Sequence, residues 1–185
     1  VDGQNRRVGK KIKGKLVQEF IYQSQTQVAA ELDGSGKIMK QFIYGSKTNI
    51  PDYMIMNGKK YRIISDQVGT PKMIVDSAKG QVVARMKFDE FGIPSGHFDN
   101  DGCDRDKFGN HDDHDLSLPF GFAGGLYDKD RGLVRFSARD YDPEIGRWTS
   151  KDPIFFSGGD TNLYGYSLND PINNIDPSGH FGIAG

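Results

Sequence analysis

Short apolar runs separated by glycine-centred turns recur along the first half of the chain, and this repetition limits its fold more than any other feature. Three such units are visible, each with a turn between two runs that contain β-branched and aromatic residues. Glycine at a turn supplies a positive φ angle that other residues resist. The pattern predicts an all-β fold of antiparallel strands rather than a helical bundle.

The three units share this layout but differ in length. Leu16, Phe20 and Tyr22 have the same parity along the first strand and are expected to face one side of a sheet. The strands are predicted at residues 15–23, 28–32, 38–44, 73–75 and 82–88, and the turns at residues 9–14, 33–36, 67–70 and 77–80.

The second half of the chain combines aromatic residues, glycines and Asp-Pro steps. Residues 132–179 read GLVRFSARDYDPEIGRWTSKDPIFFSGGDTNLYGYSLNDPINNIDPSG. A hairpin is predicted to turn at 128–132 and to end near Pro143. The later Asp-Pro steps predict bends, because the residue before proline is pushed away from helical geometry. A short helix is predicted at 162–168.

This second half resembles the Rhs repeat-associated core, and the units before it resemble the YD repeats of bacterial Rhs and YD-repeat proteins. The resemblance implies that the antiparallel strands spiral into part of a shell, which the core then closes. It divides the chain into YD-like units at 1–95, an acidic Gly/Asp-rich loop at 96–117, the core at 118–180, and the start of a variable C-terminal segment at 181–185. From periodicity alone, an ordinary antiparallel meander is equally compatible with the pattern.

The resemblance also implies a function. Such a core caps a secreted or cell-surface shell and encloses or anchors a C-terminal segment, so the expected partners are the rest of the same polypeptide and its C-terminal passenger. The opening letters VDGQNRRVG resemble the second half of a YD unit, so Val1 is expected to lie inside a longer polypeptide. The alternative is an extracellular structural or adhesive module that is not cut, self-associates or binds glycans.

In toxin-enclosing members of this group the core is an intramolecular aspartyl protease that acts once, on its own chain. Matching its motif residue by residue makes Arg139, Asp152 and Asp176 the candidate catalytic residues, with the cut between His180 and Phe181. Leucine stands in the family pattern where this chain has His180, so the residue before the predicted cut departs from that pattern. The structural alternative is that the Asp-Pro steps open turns and that Arg139 pairs with neighbouring acids, namely Asp140, Asp142 or Glu144.

The acidic segment offers a second hypothesis about a site. Its closely spaced carboxylates are typical of calcium loops, although the EF-hand register is missing; they are Asp99, Asp101, Asp104 and Asp106. A zinc site is the second option there, with ligands from His97, His111, Asp112, Asp113 and His114. The third is a hydrophilic loop without any cofactor. Cys103, the one cysteine, is interpreted as an idle thiol because acids surround it.

Charge and hydropathy exclude some partners. With 24 basic and 25 acidic residues, the chain has no overall electrostatic attraction for nucleic acid. The basic residues between Arg6 and Lys15 are expected to be a solvated face. No apolar run reaches the roughly 20 residues of a transmembrane helix. Most aromatic residues of the second half are expected to form the core rather than a sugar-binding platform, a set that comprises Phe120, Phe122, Tyr127, Phe136, Tyr141, Trp148, Phe155, Phe156, Tyr164 and Tyr166.

Overall fold

The computed structural model describes residues 1–95, 116–180 and 183–184. Within them every extended element belongs to an antiparallel sheet, and the helical segments are 3-10 turns of three or four residues. The prediction of an all-β fold is therefore confirmed. None of the helical turns in these residues is long and apolar enough to cross a membrane.

The first sheet contains eight strands that lie side by side in chain order. Each strand pairs antiparallel with the next, so the whole sheet is held by contacts between sequence neighbours. The strands are β1 (Gly9–Ile12), β2 (Lys15–Tyr22), β3 (Val28–Asp33), β4 (Ile38–Ile43), β5 (Tyr53–Met56), β6 (Lys59–Ser65), β7 (Pro71–Asp76) and β8 (Gln81–Arg85).

Several parts of this sheet differ from the sequence prediction. Strand β6 was not among the predicted strands, and β8 ends at Arg85 rather than at residue 88. Residues 9–14 were expected to turn, but 9–12 form β1, and the turn is confined to Lys13 and Gly14, whose φ angles are 49° and 80°. The reason is that the backbone of β1 pairs with β2. Strand β5 was not predicted. Its signal was Asn57-Gly58, whose φ angles of 51° and 73° suit a two-residue hairpin turn between β5 and β6.

The second sheet has four strands in the order β12-β11-β10-β9. Its strands are β9 (Leu126–Asp128), β10 (Leu133–Phe136), β11 (Arg139–Asp142) and β12 (Arg147–Trp148). The hairpin predicted to turn at 128–132 is the β9–β10 pair. A separate two-residue pair joins β13 (Asn174–Ile175) to β14 (Ile183–Ala184).

The helix predicted at 162–168 is wrong. A single 3-10 turn covers Ser167–Asn169, and its three residues have φ angles of 47°, 56° and 60°. These left-handed angles cannot continue a right-handed helix, so the turn stops after one step.

Two apolar clusters form the interior of the described residues. One face of the first sheet, carrying Phe20, Phe42 and Tyr61, packs with Phe120 and Leu126. The other cluster is largely aromatic and lies on the second sheet, where Tyr141 is 4.6 Å from Tyr166 between ring centres. Its buried members are Val68, Phe122, Ala123, Val134, Phe136, Tyr141, Trp148, Tyr166 and Ile175. The expectation that most aromatic residues of the second half pack inside agrees with their burial, whereas Phe155, Phe156 and Tyr164 are exposed.

Buried polar groups join the two sheets. The Asn49 amide nitrogen donates to the carbonyls of Val68 and Ala123 at 2.8 and 2.9 Å, and the Ala123 amide donates to the Thr70 hydroxyl at 3.0 Å. Gly124 fits against this seam because a Cβ there would lie 2.2 Å from the Asn49 carbonyl oxygen. The seam thus fixes the second sheet against the first through satisfied hydrogen bonds.

The basic N-terminal segment is partly paired rather than a wholly solvated face. Arg7 and Lys10 contact the buried carboxylate of Asp128 at 3.3 and 2.6 Å. Asn5 donates its side-chain amide to the Ala138 carbonyl at 2.8 Å, and Arg135 donates to the Asn5 carbonyl at 2.8 Å. The sequence could not show this, because the partners are more than one hundred residues apart.

This pairing makes stability depend on pH through Asp128. Burial acts to raise the pKa of Asp128, but the hydrogen bond from Lys10 and the charges of Arg7 and Lys10 outweigh it and hold the pKa below its ordinary 3.8. A depressed pKa contributes stability that is present above the unfolded value and is lost as pH falls through the folded value. We expect the free energy of unfolding to fall more steeply below about pH 4 in the parent than in Asp128→Asn, measured by urea unfolding.

Asp130→Asn is the control for that measurement. Asp130 also contacts Lys10, but its carboxylate is 51% exposed, so solvent screens the pair. Its pH profile should follow the parent. A parent-like profile for Asp128→Asn would contradict the role given to Asp128.

Candidate functional site

Arg139 lies at the centre of a buried charged cluster. It is the first residue of β11, and it is 3% exposed. Its Nη2 atom contacts Asp152 Oδ2 at 2.8 Å and Asp176 Oδ2 at 3.2 Å. Both aspartates are buried as well. The structure therefore brings together the three candidate catalytic residues, because both aspartates contact the same guanidinium nitrogen of Arg139.

Each aspartate also opens a local turn with its second oxygen. Asp152 Oδ1 accepts the Ile154 amide at 2.9 Å. Asp176 Oδ1 accepts the Ser178 hydroxyl and the amides of Gly179 and His180 at 2.9 to 3.0 Å. The turn-opening role proposed as an alternative is thus present, and it coexists with the contacts to Arg139.

Residues 176–180, which we call the DPSG turn, sit directly against the start of β11. Arg139 Nε donates to the Gly179 carbonyl at 2.5 Å, and the Ala138 amide donates to the Ser178 carbonyl at 3.2 Å. Gly179 has a φ of 71°, and a Cβ there would lie 2.5 Å from the Phe136 carbonyl oxygen. Only glycine allows the turn to approach the strand this closely.

Trp148 supports the guanidinium from the core. The Arg139 Cζ atom lies 4.2 Å from the Trp148 ring centre, a cation–π geometry. Burial lowers the pKa of Arg139 from its ordinary value, against the opposing charges of Asp152 and Asp176. Arginine nevertheless remains charged in proteins, so the cluster holds a permanent cation between two carboxyl groups.

A cleft of about 180 Å³ opens beside the cluster. Arg139, Asp152 and Asp176 reach its wall together with Asp160 and His180, while Phe155 and Leu168 supply apolar parts. That space is ample for ordered water. The cleft therefore places water-accessible volume next to two carboxyl groups and an arginine, the groups needed for acid and base chemistry.

Several predicted site residues are not described by the structure. His180 is placed, and its Nδ1 lies 3.0 Å from the Gly179 carbonyl oxygen. Phe181, on the other side of the predicted cut, lies outside the described residues, as do all candidate calcium and zinc ligands and Cys103. In the described ranges 1–95, 116–180 and 183–184, no group of three His, Cys, Asp or Glu side chains is arranged to hold a metal ion.

Sequence reasoning missed three features of the site. Trp148 was named only as an aromatic residue, Asp160 was not named at all, and the Gly179 carbonyl was not foreseen as a partner of Arg139. For Trp148 the sequence holds one weak signal, the Arg147-Trp148 pair that forms β12. Because β12 pairs with β11, it brings the Trp148 indole beside Arg139.

The chain is similar to a known protein family and to several known proteins. The family model described as Teneurin YD-shell matches residues 1–172. The chain is 30% identical over 183 residues to the tRNA3(Ser)-specific nuclease WapA of Bacillus spizizenii, covering 97% of this chain and 7% of that protein. It is 33% identical over 131 residues to teneurin-3 of Danio rerio, covering 65% of this chain and 4% of that protein.

Solved structures agree in fold. A crystal structure of TcdB2-TccC3-TEV superposes with a TM-score of 0.60 at 18% identity, over 96% of this chain and 8% of that one. The structure of the Photorhabdus luminescens Tc holotoxin pore with a TccC3 mutation gives 0.60 at 17% identity, over 94% of this chain and 9% of that one. The chain thus spans less than a tenth of these relatives. With a family model matched along most of its length, the chain belongs to the Teneurin YD-shell family.

Proposed function

We propose that this chain is the C-terminal core of a secreted YD-repeat shell, which it closes around the polypeptide that follows, and that it cuts that polypeptide from the shell. The buried contact of Arg139 with both Asp152 and Asp176, next to the predicted cut, carries the proposal. Similarity to a protein named as a nuclease and to structures of a Tc toxin supports a toxic passenger. The domain boundaries expected from sequence are part of the same proposal.

The contacts suggest different roles for the two aspartates. Asp176 Oδ1 receives three donors, more than its two lone pairs can fully accept, and Oδ2 faces Arg139. Asp176 is therefore best suited to hold the DPSG turn in place. Both aspartates reach the cleft, but the Asp152 Oδ1 atom accepts the Ile154 amide where the Asp176 Oδ1 atom accepts three donors. Asp152 is accordingly the better candidate to activate a water molecule.

The proposed reaction is hydrolysis of one peptide bond. The Asp152 carboxylate takes a proton from water as the oxygen attacks the His180 carbonyl carbon. Arg139 stabilises the negative charge that develops. The carbon–nitrogen bond to Phe181 then breaks, and a proton passes from the carboxyl pair to the new amino group. Because the bond lies four residues from Asp176 in the same chain, its orientation needs no separate binding step.

The intact mass of the natural polypeptide tests this proposal. We expect the parent to appear as two pieces that separate after His180, and Asp152→Asn and Asp176→Asn to remain whole. Asp142→Asn is the matched control, because Asp142 also precedes proline and accepts the Glu144 amide at 3.0 Å, but it does not contact Arg139. Cutting that persists in Asp152→Asn would remove this residue from the mechanism.

A second function is favoured by one observation. Phe155, Phe156 and Leu168 are 59%, 68% and 67% exposed, and the first and last of them line the cleft. Exposed large apolar side chains of this kind suit a contact surface. A parent chain that stays whole would favour this reading, in which the core is an uncut extracellular module that self-associates or binds glycans and the charged cluster serves as scaffold.

A further inference from the structure

We infer that β13 is a docking strand for the segment that follows the predicted cut, and that backbone pairing to it holds the scissile bond in register. The inference rests on the proposed cleavage, and it adds the element that positions the substrate on its C-terminal side. It begins from the antiparallel pairing of Asn174 with Ala184 and of Ile175 with Ile183.

Strand β13 is anchored to the rest of the protein by contacts other than its pairing with β14. Ile175 is 7% exposed and belongs to the aromatic cluster that also contains Trp148 and Tyr166. The Asn174 amide donates to the Asp170 carbonyl at 3.0 Å, which closes the turn that leads into the strand. Asp176 follows immediately. An edge anchored in this way can receive an extended segment by strand addition.

The predicted bond lies between two anchors. On its N-terminal side, Asp176 Oδ1 accepts the amides of Gly179 and His180, and Arg139 binds the Gly179 carbonyl. On its C-terminal side, two residues after the bond, β14 pairs with β13. Asp176 and the bond to be cut both lie between β13 and β14 in the chain, so the strand pair holds the polypeptide on either side of them.

One ladder position carries the hydrogen bonds. Opposed residues of antiparallel strands alternate between pairs that exchange two hydrogen bonds and pairs that exchange none. Because the Asn174 amide already donates to Asp170, the Ile175–Ile183 pair is the one that exchanges both. The amide of Ala184 then points away from β13. Recognition through the backbone also tolerates varied side chains, as a variable segment requires.

The pair is too short to hold a released segment. A two-stranded ribbon is marginally stable in water even at greater length, and here the ladder covers two residues on each strand. Before the cut, the continuous chain between the two strands keeps β14 near β13 at high effective concentration. After the cut that tether is gone, so the same strand that orients the bond also lets the product leave.

Proline substitutions test the inference in the natural polypeptide. We expect Ile183→Pro to slow the appearance of the cut product at least about tenfold, because proline lacks the amide donor and small misplacements of a reacting bond are costly. Ala184→Pro is the matched control and should stay within about twofold of the parent, since its amide is not in the ladder. Ile183→Val, which keeps the backbone donor, should do the same. Equal rates for both proline variants would overturn the inference.

A second readout does not depend on cutting. In an Asp152→Asn background, we expect hydrogen–deuterium exchange at the Ile175 amide to be faster with Ile183→Pro than with Ala184→Pro, because only the former removes a ladder bond. No difference would overturn the docking of β14 on β13. If the parent polypeptide is never cut, the proposed protease fails, and this exchange difference still decides whether β13 docks the downstream segment.

Discussion

Replacing Arg139 with methionine is expected to lower the free energy of unfolding by about 3–5 kcal/mol, the cost of removing one partner from a buried ion pair. Arg139, Asp152 and Asp176 have side chains that are 3%, 8% and 2% exposed, so water cannot compensate the two carboxylates left behind. The Gly179 carbonyl also loses the hydrogen bond from Arg139 Nε. Urea unfolding of the 185-residue chain, followed by circular dichroism, measures the change.

Arg131→Met is the control for this variant. Arg131 makes an ion pair with Asp140 at 3.7 Å, but its side chain is 58% exposed. Exposed pairs of this kind contribute little, so we expect a loss of less than about 1 kcal/mol. If Arg139→Met were as stable as Arg131→Met, the buried ion pairs of Arg139 would not contribute to the free energy of unfolding as we expect. We also expect Arg139→Met to remain uncut in the intact-mass experiment.

Trp148→Ala is expected to cost about 3–5 kcal/mol by the same measurement, because it leaves a large cavity in a packed core. Trp148 is 2% exposed, and its ring centre lies 5.2 Å from that of Tyr166 and 5.7 Å from that of Phe136. The substitution also removes the surface on which the Arg139 guanidinium rests. Cutting should therefore fall along with stability.

Phe156→Ala controls for the loss of an aromatic side chain. Phe156 is 68% exposed, so its removal should change the free energy of unfolding by no more than about 0.5 kcal/mol. A small loss for Trp148→Ala would mean that the neighbouring aromatic rings close the cavity. Preserved cutting in Trp148→Ala would show that Arg139 holds its position without the indole.

The fold was predictable where its signal is local. Apolar runs with glycine turns specify β-hairpins, and such pairs lie side by side in chain order, as they do through β2, β3 and β4. Strand β5 was missed although Asn57-Gly58 marked its turn. Strand β1 was missed because a run of lysines and glycines suggests a solvated turn, whereas its backbone pairs with β2.

The candidate site was predictable only in part. Arg139, Asp152 and Asp176 could be named because their motifs resemble a known core, and the structure places them in contact. Trp148 under the guanidinium and the Gly179 carbonyl depend on how separate segments cross in space. The spacing of residues in a single sequence does not reveal such contacts, because neither of the two contacting segments carries a local signal for the other.

The turn between β10 and β11 has a consequence for the order of events during folding. Gln25 donates to the Ser137 hydroxyl and Asn5 to the Ala138 carbonyl, while the Ala138 amide donates to Ser178. This turn, which immediately precedes Arg139, is therefore held by hydrogen bonds to segments up to 133 residues away. Contacts between such distant segments form late, because closing a long loop costs entropy first. Under the proposed function, cleavage would then occur only after folding is complete, and a partly folded chain would stay joined to the polypeptide that follows.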